Sequence, residues 1–241
     1  MKVIITEDYD TMSARALEIM LDVVKNKPNA VLGLATGTTP LGLYKLMIDD
    51  HRRNGTDYGK IKTVNLDEYK GLDGANEMSY ARFMRENLFD GLGIAPENTY
   101  IENGTASDSD AECARYNGIL DALRIDIQLL GLGSNGHIAF NEPGTPFGIE
   151  THEVKLAEST VKDNARLFDD PADVPTRAFT MGIKNIMHAE RILVLASGAN
   201  KAKAVFGAVH GSVTEDLPAS VLQLHPNCTL IADKAAAELL K

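Results

Sequence analysis

Short β-branched or leucine-rich runs alternate along this chain with longer segments of helical period. That alternation is the pattern of a parallel sheet covered by helices on both faces. The runs are Val3–Thr6, Val31–Ala35, Ile61–Leu66, Ile125–Leu130, Ile192–Ala196 and Thr229–Ala232. Between the first two, Met12, Ala16, Ile19, Met20 and Val23 fall on one buried helical stripe, which Pro28 and Asn29 bring to an end. Thr39-Pro40 reads as an N-cap followed by a proline at the first helical position, with Leu43, Tyr44 and Met47 on the apolar face and Gly55 beyond the end. Further helices are expected over Glu77–Phe89, Asp108–Leu123, Lys201–Val209 and Lys234–Leu240. The fold class this implies is α/β, a Rossmann-like open, mainly parallel sheet with helices on both faces.

Neither a low-complexity stretch nor a Pro/Ser-rich linker divides the 241 residues, so residues 1–241 are expected to form a single domain. One region breaks the rhythm. Thr151 to Thr176 is rich in charge, has two prolines near its end and shows no sustained period, which reads as a mobile lid with short helical pieces.

With 44% hydrophobic and 24% charged residues, a chain of this length can bury a substantial core without disulfides or metals. Cys113 and Cys228 lie far apart and match no zinc spacing, and the first residues show no signal-peptide core, so the expected setting is the cytoplasm. Apolar runs such as Ile192 to Ala196 are far short of the roughly 20 residues that span a bilayer, so no membrane partner is expected. A formal charge of -10 argues against a nucleic-acid partner, and any anionic ligand must be held by local groups against the overall field.

In open α/β sheets ligands bind beyond the carboxyl ends of the strands, and three loops there carry chemistry. After the second run, Thr36, Gly37, Thr38 and Thr39 gather a glycine and three hydroxyls at a helix N-terminus, a setting that suits a phosphate. The same residues also fit a plain capped turn, and the Gly-Lys-Ser/Thr ending of a P-loop is absent. After the third run, Asp67 stands where an apolar strand ends. It is a candidate general base or, equally on this loop alone, a cap. After the fourth, Gly131 to Pro143 puts three glycines ahead of His137 and Glu142, a pair able to share protons near neutral pH. The glycine spacing resembles a dinucleotide fingerprint, but it leads into His-Ile-Ala-Phe-Asn-Glu-Pro and lacks a convincing acidic residue further on.

Taken together, Thr36-Gly37-Thr38-Thr39-Pro40, Asn65-Leu66-Asp67-Glu68-Tyr69 and Gly136-His137-Ile138-Ala139-Phe140-Asn141-Glu142-Pro143 resemble the glucosamine-6-phosphate deaminase family. Asn164-Ala165-Arg166-Leu167-Phe168, Gly198-Ala199-Asn200-Lys201-Ala202 and Leu222-Gln223-Leu224-His225-Pro226 extend the resemblance over nearly the whole chain. It implies conversion of glucosamine 6-phosphate to fructose 6-phosphate and ammonia, in amino-sugar catabolism, with no cofactor and no metal. By the same resemblance His137 opens the sugar ring, Glu142 orients and tunes that histidine, and Asp67 takes the C2 proton and returns it at C1. Thr36, Gly37, Thr38 and Thr39 match the phosphate loop, to which Arg166 and Lys201 add positive charge.

Two departures matter. Some family members carry aspartate where this chain has Asn135, which orients an imidazole by hydrogen bonding without stabilising its charge. The allosterically activated hexameric branch uses basic residues after the Asn-Glu-Pro motif and a longer C-terminal tail. Here the stretch reads His152-Glu153-Val154 and the chain stops at Lys241, so a monomer or small homo-oligomer without that activation is expected.

Two alternatives share the fold: a 6-phosphogluconolactonase and a non-catalytic sugar-phosphate sensor. A lactonase is expected to carry arginine after the acidic pair, where this chain has Tyr69. A sensor is expected to carry a helix-turn-helix ahead of the first strand, where this chain begins directly with Val3–Thr6.

Overall fold

The computed structural model describes residues 1–156 and 174–240. In chain order the strands are β1 (Lys2–Thr6), β2 (Val31–Leu34), β3 (Lys62–Asn65), β4 (Asp67–Tyr69), β5 (Thr99–Tyr100), β6 (Ile127–Gly131), β7 (His152–Lys155), β8 (Arg177–Thr180), β9 (Ile192–Ala196) and β10 (Cys228–Asp233). The helices are α1 (Tyr9–Asn26), α2 (Leu41–Asn54), α3 (Tyr80–Met84), α4 (Asp90–Leu92), α5 (Ser109–Ala122), α6 (Ile183–Met187) and α7 (Ala202–His210).

Seven strands form one sheet in the order β1-β10-β9-β6-β2-β3-β5, and every neighbouring pair is parallel. Side chains alternate between its faces with the period of two that a strand imposes. On one face Leu32, Leu34, Leu129 and Leu193 pack with Met12 and Met20 of α1 and Leu43 and Met47 of α2. On the other, Val31, Val64, Leu130 and Val194 pack with Tyr116 of α5 and Val205 of α7. Both faces are therefore closed, which is why the strands read as nearly continuous apolar runs.

Strand β2 sits between β3 and β6. The chain leaves β2 toward one edge through β3 and β5, then returns to β6 on the opposite side, so the strand order reverses at β2. A crevice opens at the carboxyl end of a sheet at such a switch point. One residue beyond β3 the chain passes into a second, antiparallel sheet ordered β4-β8-β7, with Asp67 opposite Thr180. Leu66 spans the junction, and its carbonyl accepts from the Met181 amide at 2.6 Å.

The six predicted strands are present within two residues of their expected ends. Three helical boundaries differ. Thr39 is not the N-cap of α2: Pro40 takes that place at φ -80°, with no side-chain cap. The Gly42 amide that a Thr39 cap would bind goes instead to the Tyr9 hydroxyl at 2.7 Å. Expected from Glu77, the helix starts at Tyr80 because Ser79 caps it, accepting from the Arg82 amide at 3.1 Å, and it runs through a π-turn over Arg85–Phe89. Lys234–Leu240 forms turns and one 3-10 turn over Glu238–Leu240, because the Asp233 carboxylate captures the Ala236 amide at 2.7 Å. Much of the expected lid lies outside the described residues. Where its start is described, His152–Lys155 is strand β7, paired with β8, instead of a helical piece.

Candidate active site

The loops after β2 and β6 and the start of β4 converge on one cleft of about 180 Å³, whose walls include Thr36, Gly37, Thr39, Asp67, His137 and Lys201. Arg166 lies outside the described residues.

The loop after β2 is held by two tyrosines. The buried Tyr44 hydroxyl accepts from the Ala35 amide at 3.2 Å and donates to the Ala35 carbonyl at 2.6 Å. Tyr9, at the start of α1, donates to the Thr38 carbonyl at 3.0 Å while accepting from Gly42. Both clamps act on backbone, so the loop keeps its shape whatever its side chains bind. Gly37 has φ +89°, a conformation costly for residues with a Cβ, which turns the chain into the helix N-terminus. Thr36 and Thr39 line the cleft, whereas Thr38 is exposed and contributes its bonded carbonyl. Lys201, the N-cap of α7, reaches the same cleft. Desolvation lowers its proton affinity, and among the described residues no carboxylate pairs with it. A partly desolvated ammonium at a helix N-terminus favours an anionic ligand.

Asp67 opens β4 and is only 6% exposed. Burial, and then the neighbouring Glu68, push its carboxyl up to about 8. Glu68 is more deeply buried, but accepts amide hydrogens from Tyr69 at 2.8 Å, Tyr80 at 2.9 Å and Ala81 at 2.8 Å. Burial still raises it to about 7, and those three donors oppose the rise. They favour charge on Glu68, which leaves Asp67 to hold its proton longer. Near them Glu102 is 2% exposed and likewise raised, first by burial and then by Asp67. Asp67 thus faces the cleft from an acidic, water-poor layer.

The loop after β6 folds back on itself. The Gly133 amide donates to the His137 carbonyl at 3.0 Å, and the Gly136 amide to the Gly133 carbonyl at 3.0 Å. Gly136 has φ +88°, and a Cβ there would lie 2.4 Å from Leu217 Cδ1. Asn141 anchors the far side, donating to the Ile138 carbonyl at 3.0 Å and the Met181 carbonyl at 2.9 Å. Between these anchors Ala139 is the one described non-glycine residue at positive φ, +52°, and such strain persists where the surroundings over-determine the backbone.

His137 projects from this loop into the cleft, its Nδ1 3.4 Å from Glu142 Oε1. That distance makes the contact an ion pair when the ring is protonated, and it is too long for a strong hydrogen bond. Asn135 completes the group: its Nδ2 donates to Glu142 Oε2 at 2.7 Å, and its Oδ1 accepts from the His137 amide at 3.1 Å. His137, and after it Asn135, hold the Glu142 carboxyl below its ordinary value against partial burial. Asn135 therefore acts on Glu142 and on the loop backbone, one step removed from the imidazole.

Sequence reasoning missed the tyrosines that position these groups. Tyr44 falls on the expected apolar stripe of α2, and nothing marks its hydroxyl as a clamp. Tyr9 precedes the stripe of α1, and Tyr80 lies within an expected helix. Only the fold brings their hydroxyls to the loops.

A doubly wound sheet with a hydroxyl-rich loop at a helix N-terminus, a buried carboxyl and an imidazole around one crevice defines an α/β protein with the groups that acid–base chemistry needs in one cleft. Residues 7–231 match the family of glucosamine-6-phosphate isomerases and 6-phosphogluconolactonases, and the chain belongs to that family. It is 50% identical over 239 residues to the glucosamine-6-phosphate deaminase of Halalkalibacterium halodurans, covering 99% of this chain and 97% of that one. It is 51% identical to the corresponding deaminase of a Geobacillus species, covering 100% of this chain and 96% of that relative. The solved structure of a monomeric glucosamine-6-phosphate deaminase superposes with a TM-score of 0.96 at 47% identity, covering 99% and 100% of the two chains. A 6-phosphogluconolactonase from Trypanosoma brucei shares the fold, with a TM-score of 0.79 at 20% identity over 100% of this chain and 98% of that one.

Proposed function

We infer that this chain is an isomerising deaminase that converts glucosamine 6-phosphate and water to fructose 6-phosphate and ammonia. The whole-length identity of about half to deaminases supports the reaction. The observation that carries the mechanism is Asp67, a buried carboxyl facing the same cleft as His137, the Thr36 loop and Lys201.

The phosphate binds the loop of Thr36, Gly37, Thr38 and Thr39, with Lys201 and Arg166 as cations. His137 moves a proton between the ring oxygen and the C1 hydroxyl, and the ring opens to the aldehyde. Glu142, held by Asn135, steadies the imidazole and offsets its charge when protonated. Asp67 then takes the C2 proton, giving an enolamine, and returns a proton at C1, leaving a hydroxymethyl carbon beside a C2 ketimine. Water adds to the C2 carbon, the nitrogen leaves as ammonia, and the ketone of fructose 6-phosphate remains. Each step is a proton transfer, a ring opening, an addition of water or a loss of ammonia, with no change in overall oxidation state, so the scheme requires neither a redox cofactor nor a metal.

A carboxyl held near 8 keeps its proton in the empty cleft at neutral pH. The substrate resolves this, because its cationic amino group at C2 arrives beside Asp67 and favours the carboxylate that must act as base.

Among the described residues no helix is long and apolar enough to cross a membrane. We place the enzyme in the cytoplasm as a monomer or small homo-oligomer. The free thiols Cys113 and Cys228 and the monomeric state of the 47% identical deaminase support this. The reading is tested by supplying purified protein with glucosamine 6-phosphate and, separately, with 6-phosphogluconolactone. Ammonia and fructose 6-phosphate released in equal amounts from the first is the expected result. Turnover of the lactone alone would replace this reading with the hydrolase, and binding without turnover would replace it with the sensor.

A further inference from the structure

The Asp67 mechanism leaves Tyr80 without a role, although this residue meets all three loops of the cleft. Its amide donates to Glu68 Oε1 at 2.9 Å, next to the base. Its hydroxyl donates to the Tyr69 hydroxyl at 3.0 Å, at the far end of the three-residue strand that Asp67 begins. The Thr36 side chain, on the loop after β2, neighbours the same hydroxyl. The Tyr80 ring stacks on Phe140 of the His137 loop, with planes 16° apart and centroids 6.2 Å apart, and packs on Tyr69 at 4.5 Å. It also forms part of the cleft wall.

We propose that Tyr80 is a positioning residue that joins the anion loop to the base: its hydroxyl fixes Thr36 and β4 together, and its ring fixes both to the His137 loop. The chemistry needs such a link. Phosphate at C6 and the proton at C2 are held by loops that follow different strands, and the phosphate's binding energy aids proton transfer only if the distance between the loops is fixed. A hydroxyl can do this because it is able to accept a hydrogen bond from Thr36, which lines the same cleft, while donating one to Tyr69. The segment behind β4 adds stiffness, since a Cβ on Gly104 would lie 2.4 Å from the Tyr69 and Leu72 carbonyls, which leaves the strand no room to retreat.

This inference rests on the deaminase reading, and one variant separates the two. Tyr80→Phe keeps the ring stacked on Phe140 and Tyr69 and removes only the hydroxyl. Losing one such part-buried link is expected to lower kcat/KM for glucosamine 6-phosphate about tenfold, with a fall in kcat as well as a rise in KM. Titration with inorganic phosphate, which needs no turnover, is expected to show a Kd raised about threefold to tenfold. Thr36→Val is the partner variant. If the Tyr80 hydroxyl works through Thr36, the double variant binds phosphate about as well as the weaker single one, a non-additive result. A Tyr80→Phe protein with wild-type kcat and wild-type phosphate affinity overturns the proposal, as does strict additivity with Thr36→Val. A wild-type protein that binds phosphate but releases no ammonia overturns the deaminase reading instead.

Discussion

Gly133 lies directly against the imidazole of His137: a Cβ at residue 133 would stand 2.5 Å from Cγ, Nδ1 and Cε1 of the ring. The glycine is required by this close approach, and it sets where the ring sits relative to Glu142. Gly133→Ala forces the ring out of the cleft, because it is the most movable part of the contact. The expected result is a fall in kcat of about 10²-fold, typical of a displaced acid–base group, with the circular dichroism of the fold retained. Unchanged kcat would remove the ring from the catalytic position assigned to it.

The pH dependence follows from Asp67. Its base form is the carboxylate, and in the empty cleft it is protonated below about 8. Because kcat/KM reports the free enzyme, it is expected to rise with pH through neutrality toward that value. In the bound complex the substrate's ammonium favours the carboxylate, so the acid limb of kcat lies at lower pH. Profiles of the two parameters measured together check this. Coincident limbs would contradict the ammonium effect.

Stability shows the opposite trend. Between the ordinary carboxyl value of 3.8 and about 8, Asp67 is ionised in the unfolded chain and still protonated in the folded one. The folded state binds more protons there, so Asp67 makes stability fall as pH rises through that window. Each unit of such a shift corresponds to about 1.4 kcal/mol. Asp67→Asn removes this contribution, and urea midpoints at pH 5 and pH 8.5 are expected to diverge from wild type in the variant's favour at the higher pH. Parallel behaviour would show that Asp67 ionises freely in the fold.

Much of this was legible from residue order. The apolar runs located six of the seven strands of the large sheet, all but the two-residue β5, and the positions after β2, β3 and β6 led to Thr36, Asp67 and His137, which line one cleft. The small sheet was not legible. β4 is the acidic Asp67–Tyr69, a single residue beyond β3 with no turn residue between, and the charged β7 is a strand only because β8 pairs with it. Thr39 failed as a cap because Tyr9, 33 residues before Gly42 in the chain, takes the amide it would have bound. Long-range partners of this kind leave no local pattern, and the hydroxyls of Tyr44 and Tyr80 escaped for the same reason.

Tyr44 gives a test of the phosphate role proposed for the loop after β2. Its hydroxyl satisfies both backbone groups of Ala35 in a fully buried setting. Tyr44→Phe leaves that amide and carbonyl unpaired, with an expected loss of about 1–3 kcal/mol in stability and a raised KM for glucosamine 6-phosphate. Chemical denaturation and steady-state kinetics on the same preparation check both parts. An unaltered KM would mean that the loop keeps its shape without the clamp.

The most direct test of the account is Asp67→Asn, assayed for ammonia release and for binding of glucosamine 6-phosphate. Asparagine preserves the shape of the buried side chain and cannot accept the C2 proton. The expected result is turnover reduced by at least about 10³-fold while glucosamine 6-phosphate still binds. Ammonia release within tenfold of wild type would contradict the assignment of Asp67 as the base.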